Sequence, residues 1–179
     1  MMKKIFLVIT LIGPDKRGIV ADVTEAVHDH RASIEESRMT RLGGEFAIIM
    51  LISLTAEIIE PFSTALKKFE EQGLTVSIRE TNLLRPEKFQ GFVPYEVSVW
   101  GADHSGIVHA VAEYLTDQNI QVEDVETHVS KAPITGTPLF SMNAIVQAPP
   151  ELSLPELREK LEDIGDELGV DIDVKLRMD

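Results

Sequence analysis

Apolar residues run almost unbroken from Ile5 to Ile12 (IFLVITLI), stop at a polar stretch, and resume at Ile19, Val20, Val23 and Val27 with helical spacing. The first segment predicts a buried strand and the second an amphipathic helix. A weaker strand pattern follows at 34–41 and a stronger one at 45–54, with Gly43-Gly44 between them as a hairpin turn. Pro61 predicts the first position of a second helix, Phe62, Ala65, Leu66 and Phe69 its apolar stripe, and Gly73 its C′ residue. LTVSI at 74–78 alternates and predicts a closing strand. The order then recurs. YEVSVW at 95–100 reads as a strand, and Ile107, Val108, Val111 and Leu115 as a helix face. Strand patterns follow at 121–129 and 139–147. Ser153 to Glu156 reads as a capping box opening a helix with stripe Leu154, Leu157, Leu161, Ile164 and Leu168, ended by Gly169. VDIDVKL at 170–176 closes the series.

The loops between first strand and first helix are also alike. GPDKRGIVADV (13–23) and GADHSGIVHAV (101–111) agree at six of eleven positions at an offset of 88: Gly13, Asp15, Gly18, Ile19, Val20 and Val23 match Gly101, Asp103, Gly106, Ile107, Val108 and Val111. Identity at that density in the same structural context indicates internal duplication. The predicted class is α+β: two ferredoxin-like βαββαβ domains, each a four-stranded antiparallel sheet with two helices on one face. Residues 1–81 form the first domain, 82–92 (NLLRPEKFQGF) the linker and 93–179 the second domain. The connection KAPITGTPL in the second half is about six residues longer than its counterpart, and its two prolines and one glycine suit a protruding loop.

Strand parity sorts side chains between the two faces of each sheet. In the second half, Val97, Val99, Phe140, Met142, Ala144, Val146, Val170, Ile172 and Val174 should face the helices. Glu96, Ser98, Ser141, Asn143, Asp171 and Asp173 should face away. In the first half Leu7, Ile9, Leu11, Phe46, Ile48, Met50 and Ile52 should face the helices, yet the opposite face carries Phe6, Val8, Ala47, Ile49 and Leu51. At roughly 25 cal/mol per Å² of apolar surface, leaving that row in water forgoes several kcal/mol. Either a flanking segment covers it or another sheet or subunit does, and a homodimer is the expectation.

Composition narrows the functional classes. The chain has 179 residues, 44% of them hydrophobic and 26% charged, in the range of an ordinary soluble globular protein. Thirty acidic residues against 17 basic ones leave a formal net charge of −13, which opposes a phosphate backbone and argues against direct nucleic-acid binding. There is no cysteine, hence no disulfide, thiolate metal site or cysteine nucleophile. The run at 5–12 is too short to span a membrane and lacks the cleavage site of a signal peptide, so no membrane association and a cytoplasmic location are expected. Five histidines show no zinc spacing. His28 and His30 suit the C-terminal end of a helix, and His104 is a candidate ligand contact. No nucleophile stands in an elbow or triad context, so no catalytic residue and no cofactor are expected.

The repeated loop is the candidate site. It leads into the first turn of a helix, whose N–H groups lack intrahelical partners. Two roles are open to Asp15 and Asp103, and both can hold together: capping the helix, or accepting from a ligand ammonium. A small zwitterion suits such a place, with its carboxylate on free N–H groups and its ammonium on the aspartate. The spacing is neither a P-loop nor a dinucleotide fingerprint.

GPDKRGIV resembles the Gly-Pro-Asp-Arg-Pro-Gly-Ile/Leu-Val loop of ACT domains, small βαββαβ modules that sense amino acids; Lys16-Arg17 stands in place of Arg-Pro. The resemblance covers nearly the whole chain as two units. A tandem of this length, with an insertion such as Ala132-Pro133 to Phe140, resembles the glycine cleavage system transcriptional repressor family. The resemblance implies amino-acid sites where two units meet, built from the first loop and the residue that starts the second strand. On this sequence those are Gly13, Asp15, Lys16, Arg17, Gly18 and Ile19 with Ser33, and Gly101, Asp103, His104, Ser105, Gly106 and Ile107 with Gln121. It further implies a non-enzymatic regulator that senses a small amino acid such as glycine and controls a transcription activator of glycine cleavage genes by protein contact. An amino-acid-binding regulatory subunit of a metabolic enzyme is the alternative; a small enzyme would need a catalytic set that the sequence does not display.

Overall fold

IFLVITLI lies within the first strand, β1 (Lys4–Pro14), because a near-continuous apolar run suits a central strand, whose alternate residues Leu7, Ile9 and Leu11 are buried. The computed structural model describes residues 4–82 and 91–177. After β1 come α1 (Ile19–Asp29), β2 (Ser33–Leu42), β3 (Glu45–Thr55), α2 (Ile59–Lys67) and β4 (Thr75–Thr81). The second series is β5 (Val93–Ala102), α3 (Ile107–Asp117), β6 (Gln121–Lys131), β7 (Pro138–Ala148), α4 (Leu154–Leu168) and β8 (Val170–Leu176). The strand orders are β2-β3-β1-β4 and β6-β7-β5-β8, every neighbouring pair antiparallel. This is the ferredoxin-like plan twice. The chain divides into two compact units, Met1–Leu84 and Arg85–Asp179. Residues 83–90 of the linker expected at 82–92 lie outside the described residues.

Each unit has its own core. In the first, Leu7, Ile9, Leu11, Ile48, Met50 and Ile52 pack with Ile19, Val23 and Val27 of α1 and Phe62 and Leu66 of α2. In the second, Val97, Val99, Met142, Ala144, Val146, Ile172 and Val174 pack with Ile107, Val111 and Leu115 of α3 and Leu157 and Leu161 of α4. The inward sets read from strand parity are buried in both units. The outer faces differ as expected. Phe6, Val8, Ala47 and Leu51 are half-buried and Ile49 is 48% exposed. The corresponding face of the second sheet carries a polar ladder instead, with Ser98 Oγ donating to Asn143 Oδ1 (2.7 Å) and Asn143 Nδ2 donating to Glu96 Oε1 (2.8 Å).

Pro61 is the third residue of α2 rather than its first, because a 3₁₀ turn over Ala56–Ile58 leads straight into the helix. The position remains in the first turn, where proline displaces no intrahelical bond. The stripe continues through a 3₁₀ segment, Lys68–Gln72, to Gly73, which caps it with φ 87°. In α4 the capping box is complete: Glu156 N–H donates to Ser153 Oγ and Ser153 N–H donates to Glu156 Oε2.

Candidate functional site

The two glycines of each repeated loop answer to the backbone. A Cβ on Gly13 would lie 2.7 Å from the Gly73 carbonyl oxygen and 2.9 Å from Leu74 Cδ2; one on Gly101 would lie 2.8 Å from Val170 Cγ1. The end of the first strand thus runs against the chain just past the second helix, and only a residue without a side chain fits. Gly18 and Gly106 are the N-caps of α1 and α3, with φ 94° and 102°, a left-handed conformation that L side chains rarely adopt. The repetition of these four glycines therefore has a structural cause.

Aspartate does not cap either helix. Neither α1 nor α3 has a side-chain cap, because the N-cap position is glycine. This corrects the capping role open to Asp15 and Asp103. Their backbone N–H groups brace the loop on the neighbouring hairpin, donating to Gly44 O (2.9 Å) and Pro138 O (3.0 Å). The Asp15 carboxylate accepts from Arg41 Nη1 at 3.0 Å. Arg41 pairs with Phe46, which pairs with Gly13; in the second sheet Val129 pairs with Phe140, which pairs with Gly101. Val129 thus occupies the place of Arg41, and among the described residues no arginine or lysine bonds to Asp103. Parity along β2 and β6 was the signal that would have found this difference.

The residue after the aspartate reaches the end of the second helix in both units. Lys16 Nζ donates to Gln72 O at 2.6 Å. His104 directs Nε2 at Leu168 O (2.8 Å) and Nδ1 at Ser105 O (3.0 Å). Bonds to the Ser105 and Leu168 carbonyls hold the ring above its ordinary pKa, with the Asp103 charge assisting and desolvation opposing. Arg17 and Ser105 are exposed in the loops, and Ile19 and Ile107 are buried as core anchors of their helices.

Ser33 and Gln121 do not join these loops within their own units. Ser33 pairs with Ser53 and so lies in the row of Phe6, seven residues along β1 from Gly13. Gln121 pairs with Gln147 in the row of Pro94, seven residues from Gly101. At the usual strand rise the separation is roughly 24 Å. Each strand start carries a bulge, at Ile34/Glu36 and Val122/Asp124. The bulged Glu35 accepts from Lys4 Nζ (2.7 Å) and Ser53 Oγ (2.5 Å), and bonds from Lys4 and then Ser53 hold its carboxyl below the usual value. Glu123, its counterpart, accepts from Gln147 Nε2 at 3.1 Å. Gln121 Nε2 donates to Val122 O at 3.0 Å.

Of the histidines, His28 lies in the last turn of α1 and His30 is its C-cap, with Nδ1 2.7 Å from Ala26 O and the ring against Phe62. That carbonyl only accepts, so Nδ1 carries the hydrogen. Among the described residues no group of three or more His, Asp or Glu is placed to hold a metal.

Residues 5–79 match the ACT domain family. The UPF0237 protein of Methanopyrus kandleri is 36% identical over 80 residues, 44% of this chain and 82% of its own length. This chain belongs to the ACT domain family. Its second unit repeats the ACT topology and loop of the first. The glycine cleavage system transcriptional repressor of Escherichia coli is 38% identical to this ACT protein over 97 residues, 53% of this chain and 47% of the relative, so the chain spans about half the length of that curated relative. Among solved structures, a protein of unknown function from Galdieria sulphuraria is 34% identical with a TM-score of 0.85, covering 98% of this chain and all of that one. A candidate glycine cleavage system transcriptional repressor shares the tandem fold at 22% identity and a TM-score of 0.72, over 98% of this chain and 99% of its own.

Proposed function

We propose that this chain is a regulatory protein that senses a small amino acid such as glycine and passes the signal to a transcription activator by protein contact. The observation that carries the reading is the pair of ACT loops whose aspartates are withheld from capping, beside helix N-termini that no side chain caps. Free N–H groups at Ile19 and Ile107 and their neighbours suit a ligand carboxylate, and Asp15 or Asp103 suits an ammonium. Gly13, Lys16, Arg17 and Gly18 in one loop and Gly101, His104, Ser105 and Gly106 in the other shape or flank those places, while Ser33 and Gln121 stand at the far ends of their own sheets. Each strand-start residue lies far from its own loop, so neither unit completes a full set by itself. The identity to the Escherichia coli repressor supports a regulatory rather than catalytic role and points to glycine cleavage genes as the target. The charge of −13 favours action through a protein over direct binding to nucleic acid.

Calorimetry of glycine, serine and other small amino acids against the purified chain tests the sensing step. Binding at or below millimolar concentration that weakens in Asp103→Ala is the expected result; no binding by any amino acid at that concentration sinks it.

A further inference from the structure

We propose that the second loop is held by a proton-operated clamp: His104 fastens residues 103–106 to the C-terminal end of α4 when its ring is charged, and gives up one of its two anchors when neutral. The ring's partners, Ser105 O and Leu168 O, are both carbonyl oxygens and can only accept. An imidazole has two N–H donors only as imidazolium; the neutral ring has one. Both bonds together therefore require the charged ring, and losing the proton leaves one carbonyl without its donor.

The first unit performs the same fastening with a different residue. Lys16, at the position matching His104, donates to Gln72 O, just before the Gly73 cap, as Leu168 O stands just before the Gly169 cap. In the last turn before each cap no base is present: Glu70 and Glu71 stand there in the first unit, beyond Lys68, and Asp166 and Glu167 at the end of α4. A cation supplied by the loop is thus the complement to the negative end of each helix. The charge that bears on the ring is Asp103 in the loop, which favours the protonated form; Asp166 and Glu167 belong to the last turn of α4, and the first turn of α3 adds no acid. Of the two clamp residues only histidine titrates near neutrality as a residue type. The ring makes both bonds below the ordinary histidine range and drops to one as pH rises through the raised value, so the second loop responds to pH and the first does not. The clamp acts on the loop itself and does not depend on which ligand, if any, binds there.

Solution NMR of the full chain from about pH 5 to 9 tests this, following the His104 ring and the exchange of the amides of residues 103–107 corrected for intrinsic base catalysis. The ring should titrate above 6.5, and loop protection should fall about threefold across that transition, the loss of one exposed hydrogen bond. His104→Lys should hold protection through the range, and Lys16→His should confer the pH dependence on the first loop. A ring midpoint at or below 6.5, protection in the wild type that ignores pH, or a first loop unaffected by Lys16→His each overturns the proposal.

Discussion

Arg41 and Val129 show how one position can separate two copies of a loop. An aspartate already bonded to an arginine has a partner to lose before it can take a ligand ammonium, whereas among the described residues no arginine or lysine bonds to Asp103. Losing a charged hydrogen-bond partner weakens binding roughly 10- to 150-fold, so Asp103→Ala should fall in that range in an amino-acid titration and Asp15→Ala should cost less. Equal losses in the two variants would mean that Arg41 does not compete. Gly13 is constrained by sterics alone. A methyl group there meets backbone at 2.7 Å, so Gly13→Ala should destabilise the first unit by about 1–3 kcal/mol, read as a lowered midpoint in denaturant. An unchanged midpoint would show that the end of β1 can move away from Gly73.

At the scale of elements, the helices that begin at the repeated loops are uncapped and α4 is capped in full. Ser153→Ala should therefore cost about 1 kcal/mol of stability in the second unit. The box is also sensitive to acid. Bonds from the Ser153 side chain and then its backbone hold Glu156 below the ordinary carboxylate value. A depressed folded pKa adds stability above the unfolded value of about 4.5, and that contribution is lost as pH falls through the folded one. Glu156→Gln should flatten this part of the acid melting curve; the same slope in both proteins would assign the acid loss elsewhere.

The whole molecule is an acidic chain whose first sheet keeps an apolar row on its outer face, with Ile49 half-exposed among half-buried Val8 and Leu51. If that row is the contact of the expected homodimer, Ile49→Asp should lower the sedimentation coefficient toward that of a single chain, because a buried unpaired carboxylate is costly. A coefficient that does not change would remove this face from the interface. The charge of −13 predicts that the isolated protein does not shift a duplex DNA probe at physiological salt, and a specific sub-micromolar shift would reverse that view. No helix among the described residues is long and apolar enough to cross a membrane.

Hydrophobic period and turn chemistry act locally, and they sufficed to lay out the fold. The run at 5–12, the stripes of α1 and α3, the Ser153 box and the duplicated loop specify βαββαβ twice, and strand parity separates the buried Val97 row from the polar Glu96 row. The same reading placed Pro61 two residues early in its helix, because a 3₁₀ entry leaves no distinct period. Which partners the loop residues meet was decided only by contacts across the chain. That Gly13 lies against Gly73, that Asp15 meets Arg41 while Val129 holds the matching place near Asp103, and that Lys16 and His104 reach Gln72 and Leu168 all depend on register and on the packing of the last strand. These partners are 26 to 64 residues apart in the sequence, beyond the reach of any local pattern.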